Sequence, residues 1–278
     1  MPLEVAIKLG GCAITDKNTF ETFDLSSIEA AAKVVSKLVG KCVLIHGAGS
    51  FGHFQAHKYG IAKGLGDDPI RGKAGFVKTR LSVTKLLHKV CEVFVEQGIP
   101  AVALSPCGSW RTSGGHVTSS AVNQMIDLLE AGFVPVIHGD CVLDNQIGCF
   151  ILSGDKIIEQ IVKEQRPNRV VFLTNVDGVF DRPPEKQGAK LLDHIGILET
   201  GEVNASIGTS LAFHDVTGGI MGKIQTAVNI IKSTKGQTGV FVTKIGSQGS
   251  HDACINGSVE KGQGTSIGLC ETAQGKNK

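Results

Sequence analysis

Three lysines stand beside glycine turns in this 278-residue chain. Lys8 lies in the apolar run Val5-Ala6-Ile7-Lys8-Leu9, just ahead of Gly10-Gly11. Lys17 closes Thr15-Asp16-Lys17, and Lys223 follows Gly218-Gly219. An ammonium in an apolar strand is costly unless it reaches a partner, and a phosphate at the strand's end is a natural one. Glycine turns let backbone N–H groups approach a ligand, and a helix start adds its dipole. Taken singly, each lysine is an ordinary solvated side chain. Taken together, three lysines beside three glycine turns suit two or three phosphates. Phosphoryl transfer calls for that arrangement: positioning, with cations along the transferring group.

Other residues join this set. Asp155, in Leu152-Ser153-Gly154-Asp155, is either a helix N-cap or an acid that holds the lysines in place. His53 closes His46-Gly47-Ala48-Gly49-Ser50-Phe51-Gly52-His53. It is either a surface residue of a first helical turn or a donor to an anionic acceptor oxygen. Asp177-Gly178 is either a plain turn or a nucleotide contact. His138 and Asp140 are read as structural residues at a strand end.

Two familiar phosphate motifs are excluded. Gly47-Ala48-Gly49-Ser50-Phe51-Gly52 fits G-x-G-x-x-G, but no acidic residue ends a following strand about 20 residues on, as a dinucleotide site requires. Gly218-Gly219-Ile220-Met221-Gly222-Lys223 is one residue short of a P-loop, and Ile224 stands where a Ser or Thr is needed.

The elements that must position these residues alternate. Leu3 to Leu9 reads as a buried strand, Asp24 to Val39 as a helix and Lys41 to His46 as a second strand. A long helix over Ala74 to Gln97 precedes a strand at Ala101 to Leu104. Ser105 to Ser119 is a hairpin or loop, Ala121 to Ala131 a helix, Val134 to His138 a strand and Cys141 to Leu152 a hairpin. Then follow helix Lys156 to Glu164, strand Arg169 to Leu173, helix Met221 to Ile231, strand Val240 to Thr243 and a last strand near Ser266 to Leu269. This order predicts an α/β fold, an open three-layer α/β/α sandwich on a mostly parallel sheet. Ligands bind at the carboxyl ends of such strands, where Gly10, Gly47 and Gly154 fall and which Gly178 follows.

Composition narrows the class. With 41% apolar residues the chain can bury a large core, and a net charge of +2 gives a nucleic acid or membrane surface nothing to grip. No apolar run has membrane-spanning length, and the start lacks a signal-peptide pattern, so a cytoplasmic protein is expected. The eight cysteines form no C-x-x-C pair and read as reduced core residues; no metal-ligating set is expected among the side chains.

Taken in order, Lys8-Leu9-Gly10-Gly11, Thr15-Asp16-Lys17, the run from His46 to His53, His138-Gly139-Asp140, Ile151 to Asp155, Thr174 to Val179, and Asp215-Val216-Thr217-Gly218-Gly219 with Lys223 resemble the isopentenyl phosphate kinases of the amino acid kinase superfamily. The resemblance runs from about residue 3 to 245. It implies one amino acid kinase domain over residues 1–278, with an acceptor lobe of about 1–165 and an ATP lobe of about 166–278. It implies ATP with Mg²⁺, a homodimer, and a small phosphate-bearing acceptor that becomes a diphosphate for isoprenoid precursor synthesis. Lys8 and Lys223 would hold ATP phosphates, and Lys17 would stabilise the group in flight. Gly10, Gly11 and Gly49 would cradle phosphates through N–H groups, while Asp177 and Gly218 would line the nucleotide site. Ala48, His53 and Gly154 would bind the acceptor phosphate, and Asp155 would organise the lysines. Ala48 departs from a glycine common in archaeal relatives, and Asn175 from an aspartate. An apolar tail pocket is expected after the His53 loop, with Phe76 and Val77 candidates by position. A sister kinase with another acceptor, or a nucleotide sensor without activity, are the competing readings.

Overall fold

The computed structural model describes residues 3–16, 18–204 and 218–270. The first half of the chain supplies β1 (Val5–Leu9), α1 (Gly11–Ile14), α2 (Leu25–Val35), β2 (Cys42–His46), α3 (Gly49–Tyr59), α4 (Pro69–Glu96) and β3 (Ala101–Leu104). Then come β4 (Arg111–Ser113), β5 (His116–Ser119), α5 (Val122–Glu130), β6 (Val134–His138), β7 (Asp140–Asp144), β8 (Gly148–Leu152) and α6 (Gly154–Gln165). The second half supplies β9 (Arg169–Thr174), β10 (His194–Ile197), β11 (Val203–Asn204), α7 (Gly218–Thr234), β12 (Gly239–Lys244), α8 (Gln248–Ile255) and β13 (Thr265–Leu269).

Nine strands form one sheet in the order β11-β10-β13-β12-β9-β1-β2-β6-β3. Only the β10–β11 and β12–β13 pairs in it are antiparallel. The other four, β5-β4-β7-β8, make a small separate sheet. Val5, Ile7 and Leu9 enter one core cluster with Ile28 of α2 and Leu86, Val90 and Phe94 of α4. Ala6 enters the other with Ile157 and Ile161 of α6 and Ile224 and Ile231 of α7. Helices therefore cover both faces, which is the expected three-layer arrangement. Because side chains alternate along a strand, Lys8 shares the face of Ala6 and is directed toward α6 and α7.

The chain leaves β1 for β2 on one side and reaches β9 on the other. That reversal opens a crevice at the carboxyl end of β1, the usual ligand position in an open α/β sheet. Gly10 to Cys12 stand on it, between the loops after β2 and β9.

Several elements depart from the expectations. α4 starts at Pro69, not Ala74, because Asp68 caps it by accepting from Ile70 N and Arg71 N at 3.1 Å. Gly72 and Gly75 hid those first turns by lowering their helix propensity. They are needed there, since a Cβ on Gly72 would meet the Leu65 backbone and one on Gly75 the Tyr59 side chain. The helix Gly49–Tyr59 begins one turn before the helical turn expected at His53, and the strands β10 and β11 and the helix α8 have no counterpart in the sequence pattern.

Candidate active site

Lys8 lies one residue before the end of β1, with its side chain 6% exposed. Its Nζ is 2.8 Å from Asp155 Oδ1 and stands 5.7 Å from the centre of the Phe172 ring. Asp155 belongs to the first turn of α6 but does not cap it. Ser153 is the N-cap, accepting from Lys156 N at 3.2 Å. Asp155 is thereby left to pair with Lys8. Gly154 is fitted to this pair, because a Cβ there would come 3.1 Å from Lys8 Cε and 3.2 Å from Ile45 Cγ2.

Lys223 approaches the same group from the first turns of α7, where its Nζ donates to Gly219 O at 3.0 Å. Burial and the charge of Lys8 hold its ammonium below the ordinary lysine range, and Asp155 partly offsets them. Two ammonium groups close enough to repel, with one carboxylate between them, form a site poised for an anion.

The glycine loops after β1 and β2 touch backbone to backbone. A Cβ on Gly11 would fall 2.5 Å from Gly49 N, and one on Gly47 would fall 2.7 Å from Gly11 N. Gly49 has φ of +49°, which strains any other residue. It opens α3, whose first-turn N–H groups have no partner within the helix. Ser50 N donates instead to Thr15 Oγ1 at 3.1 Å. Gly10 differs from its expected role: its N–H donates to Leu173 O at 2.9 Å and so ties β1 to β9. Gly11 and Gly49 remain the amides that line the cleft. Ala48 is accommodated because Gly52 has no side chain, and a Cβ on Gly52 would overlap that of Ala48 at 2.5 Å.

Two clefts meet at this floor, and Cys12 lines both. One is lined by Lys8, Gly11, Gly47, Ala48, Gly49, His53, Gly154 and Asp155, and runs on to Ala56, Thr79, Val83, Asp140, Cys141 and Ile151. The other is lined by Thr174, Asn175, Val176, Gly178, Phe180, Arg182, Pro183, Glu185, Gly219 and Lys223. Asp177 is exposed, while its neighbours Val176 and Gly178 line that second cleft. Gly218 begins α7 beside Gly219. Lys17 and Asp215-Val216-Thr217 lie outside the described residues. The loop that carries Lys17 is anchored at both ends, by Asp24 N to Ile14 O at 2.8 Å and Asp16 N to Thr22 O at 3.0 Å.

Phe76 and Val77 do not line the first cleft. They border a groove on the outer side of α4, where Val77 is 54% exposed. The far wall of the first cleft is made instead by Thr79 and Val83, one turn apart on α4, together with Cys141 and Ile151, which are paired across β7 and β8. The spacing of Thr79 and Val83 was visible in the sequence, but the sheet pairing was not.

Beneath the loops, His46 and His138 stack with ring centres 5.6 Å apart. Each Nδ1 donates to the next residue's carbonyl, Gly47 O at 3.0 Å and Gly139 O at 3.1 Å. Burial, reinforced by the neighbouring His138, pushes His46 down to about 3. Burial does the same to His138, to about 4, with Arg80 adding to it. Asp140 is more than a strand-end residue. It pairs with Arg80 Nε at 3.2 Å and accepts from Ser105 Oγ at 2.8 Å and Cys141 N at 2.8 Å, although burial pushes its carboxyl up.

The amino acid kinase family pattern matches residues 4–244. An isopentenyl phosphate kinase from Arabidopsis thaliana is 39% identical, over 81% of this chain and 83% of that protein. One from Methanothermobacter thermautotrophicus is 36% identical, over 80% of this chain and 84% of its own length. A solved X-ray structure of isopentenyl phosphate kinase superposes with a TM-score of 0.79 at 30% identity, covering 95% of this chain and 99% of the other. With this match and its mostly parallel sheet, the chain belongs to the amino acid kinase family and is a kinase of the isopentenyl phosphate kinase group.

Proposed function

We propose that the protein transfers the γ-phosphoryl group of ATP to isopentenyl phosphate, giving isopentenyl diphosphate and ADP. One observation carries the choice of acceptor. The first cleft joins an anion cradle, made by Lys8, His53, Gly49 and Gly154, to a wall of Ala56, Val83, Cys141 and Ile151. Beyond the cradle its charged lining residue is the acidic Asp140, which offers nothing to the second carboxylate of an acylated amino acid. A phosphate joined to a short apolar tail matches both ends.

A phosphate monoester is already a nucleophile, so the protein supplies no general base. The acceptor oxygen bonds to the γ-phosphorus as the bond to the β-phosphate oxygen breaks, and ADP carries away that electron pair. Lys8 and Lys223 hold the donor phosphates, Asp155 fixes Lys8, and Lys17 neutralises the group in flight. His53, Ala48 and Gly154 hold the acceptor phosphate. Gly178 and the Asp177 backbone border the nucleotide, with Gly218 at the head of α7.

No three metal-ligating side chains converge among the described residues. A Mg²⁺ carried by the nucleotide phosphates would find the Asp155 carboxylate as a side chain able to hold it. When bound, Mg²⁺ would supply charge neutralisation. The acceptor lobe spans about residues 1–165 and the ATP lobe about 166–278. The working form is a homodimer in the cytoplasm. The exposed α4 side chains Ile70, Val77 and Leu81 support a pairing face. Buried free thiols support a reducing compartment, with Cys91 pushed up to about 11 and Cys254 to about 12 by burial.

The test is ADP release from Mg-ATP with isopentenyl phosphate, acetylglutamate, uridylate or no acceptor. Turnover confined to isopentenyl phosphate and lost in His53→Ala is expected. Turnover on another acceptor alone would overturn the assignment while leaving the ATP site intact.

A further inference from the structure

One residue on the lining of the first cleft carries a buried polar atom that the phosphoryl transfer does not use. Thr79 sits on α4 with Val83 one turn further on, and both line the cleft. Thr79 is 3% exposed, and its Oγ1 has no hydrogen-bond partner among the described residues. A helical threonine ordinarily returns its hydroxyl to the carbonyl four residues back. Thr84 on the same helix does so, donating to Arg80 O at 2.7 Å. Thr79 does not, so a buried O–H is left without an acceptor in a wall shared with Ala56, Val83, Cys141, Ile151 and Asp140, whose carboxylate is already engaged by Arg80 and Ser105.

A buried hydroxyl without a partner is destabilised, and a ligand that offers electrons to its proton relieves the deficit. A saturated hydrocarbon offers none. A carbon–carbon double bond offers its π electrons, a weak but real acceptor. We propose that Thr79 is a specificity-determining residue that makes the cleft favour a phosphate monoester whose tail carries a double bond over the saturated tail of the same shape. This rests on the isopentenyl phosphate reading of the cleft and names the feature of that tail which is recognised. The effect is several-fold because O–H to π contacts are weak. About three- to tenfold in affinity is expected.

The experiment compares isopentenyl phosphate with 3-methylbutyl phosphate, which lacks only the double bond. Dissociation constants by calorimetry and kcat/KM are measured for wild type, Thr79→Val and Thr79→Ser. Valine keeps the shape and removes the O–H, whereas serine keeps the O–H. Wild type and Thr79→Ser are expected to favour the unsaturated phosphate, and Thr79→Val to bring the ratio near one, chiefly by improving the saturated ligand. Thr79→Val should also melt no lower than wild type, since it removes a buried group without a partner; a clear loss of stability would assign the hydroxyl to the fold instead. An unchanged ratio in Thr79→Val, or equal binding of both phosphates by wild type, would overturn the role of Thr79 while leaving the acceptor assignment standing. Binding of neither phosphate, with ATP still bound, would overturn the acceptor assignment and this inference with it.

Discussion

At the residue scale, the site is a balance of like charges around Asp155. Its pairing with Lys8 at 2.8 Å leaves Lys223 facing a second ammonium with only partial compensation. Binding of a polyphosphate removes that repulsion and raises the lysine's affinity for its proton. Affinity for ATP should therefore weaken as pH climbs through the range, below the ordinary 10.5, where the free protein's Lys223 loses its proton. Titration calorimetry between neutral and alkaline pH checks this, and Lys223→Arg should flatten the dependence. Lys17→Ala should lower kcat by about 100-fold or more, the loss expected from removing one main electrostatic stabiliser. A variant with near-normal turnover would take Lys17 out of that role. At Gly11 the cause is steric: an alanine Cβ would collide with the Gly49 backbone and part the two loops. Gly11→Ala should raise KM for both substrates while the melting temperature falls little, because the loops lie above the core.

At the element scale, the polar groups under the site control stability more than chemistry. His46 and His138 are buried as neutral rings at the ends of β2 and β6, with folded values of about 3 and about 4 against an ordinary 6.5. The unfolded chain binds their protons first, so stability is full above pH 6.5 and is lost as pH falls toward those values. The loss should approach about 1.4 kcal/mol per histidine per pH unit below 6.5. Melting curves between pH 7 and pH 5 check this, and His138→Asn should shallow the slope. Arg80 acts similarly on a buried charge. Arg80→Ala would leave the Asp140 carboxylate, 0% exposed, without its cation and should cost on the order of 3 kcal/mol in chemical denaturation.

These elements also show what could be read from the chain alone. β1, β2, β6 and β9 were legible because continuous apolar runs next to glycine mark buried parallel strands. Lys8 stood out because a lysine in such a run needs a partner, but the sequence offered a phosphate for it and left Asp155 open between a helix cap and an acid for the lysines. α3 was not legible beyond its turn at His53, since Gly49, Gly52, His53 and His57 give its sequence no helical apolar stripe; the helix forms because Phe51 enters the core and its N-terminal turn docks on Thr15. The wall of the first cleft was illegible for a different reason. Cys141 and Ile151 become neighbours only through the β7–β8 register, and Asp140 finds Arg80 from a distant helix. Local sequence carries neither contact.

At the scale of the whole molecule, the sheet's reversal at β1 explains why two clefts meet at one floor, with Cys12 lining both. Lys8 stands where the chain turns from one half of the sheet to the other and faces the first cleft, while Lys223 faces the second. The most direct test is ³¹P NMR of the purified protein with Mg-ATP and isopentenyl phosphate. Loss of the monoester signal with matched growth of ADP and of two coupled resonances from a new diphosphate monoester is expected. ATP consumption that yields only inorganic phosphate, or an unchanged spectrum from protein that still binds ATP, would contradict transfer to this acceptor.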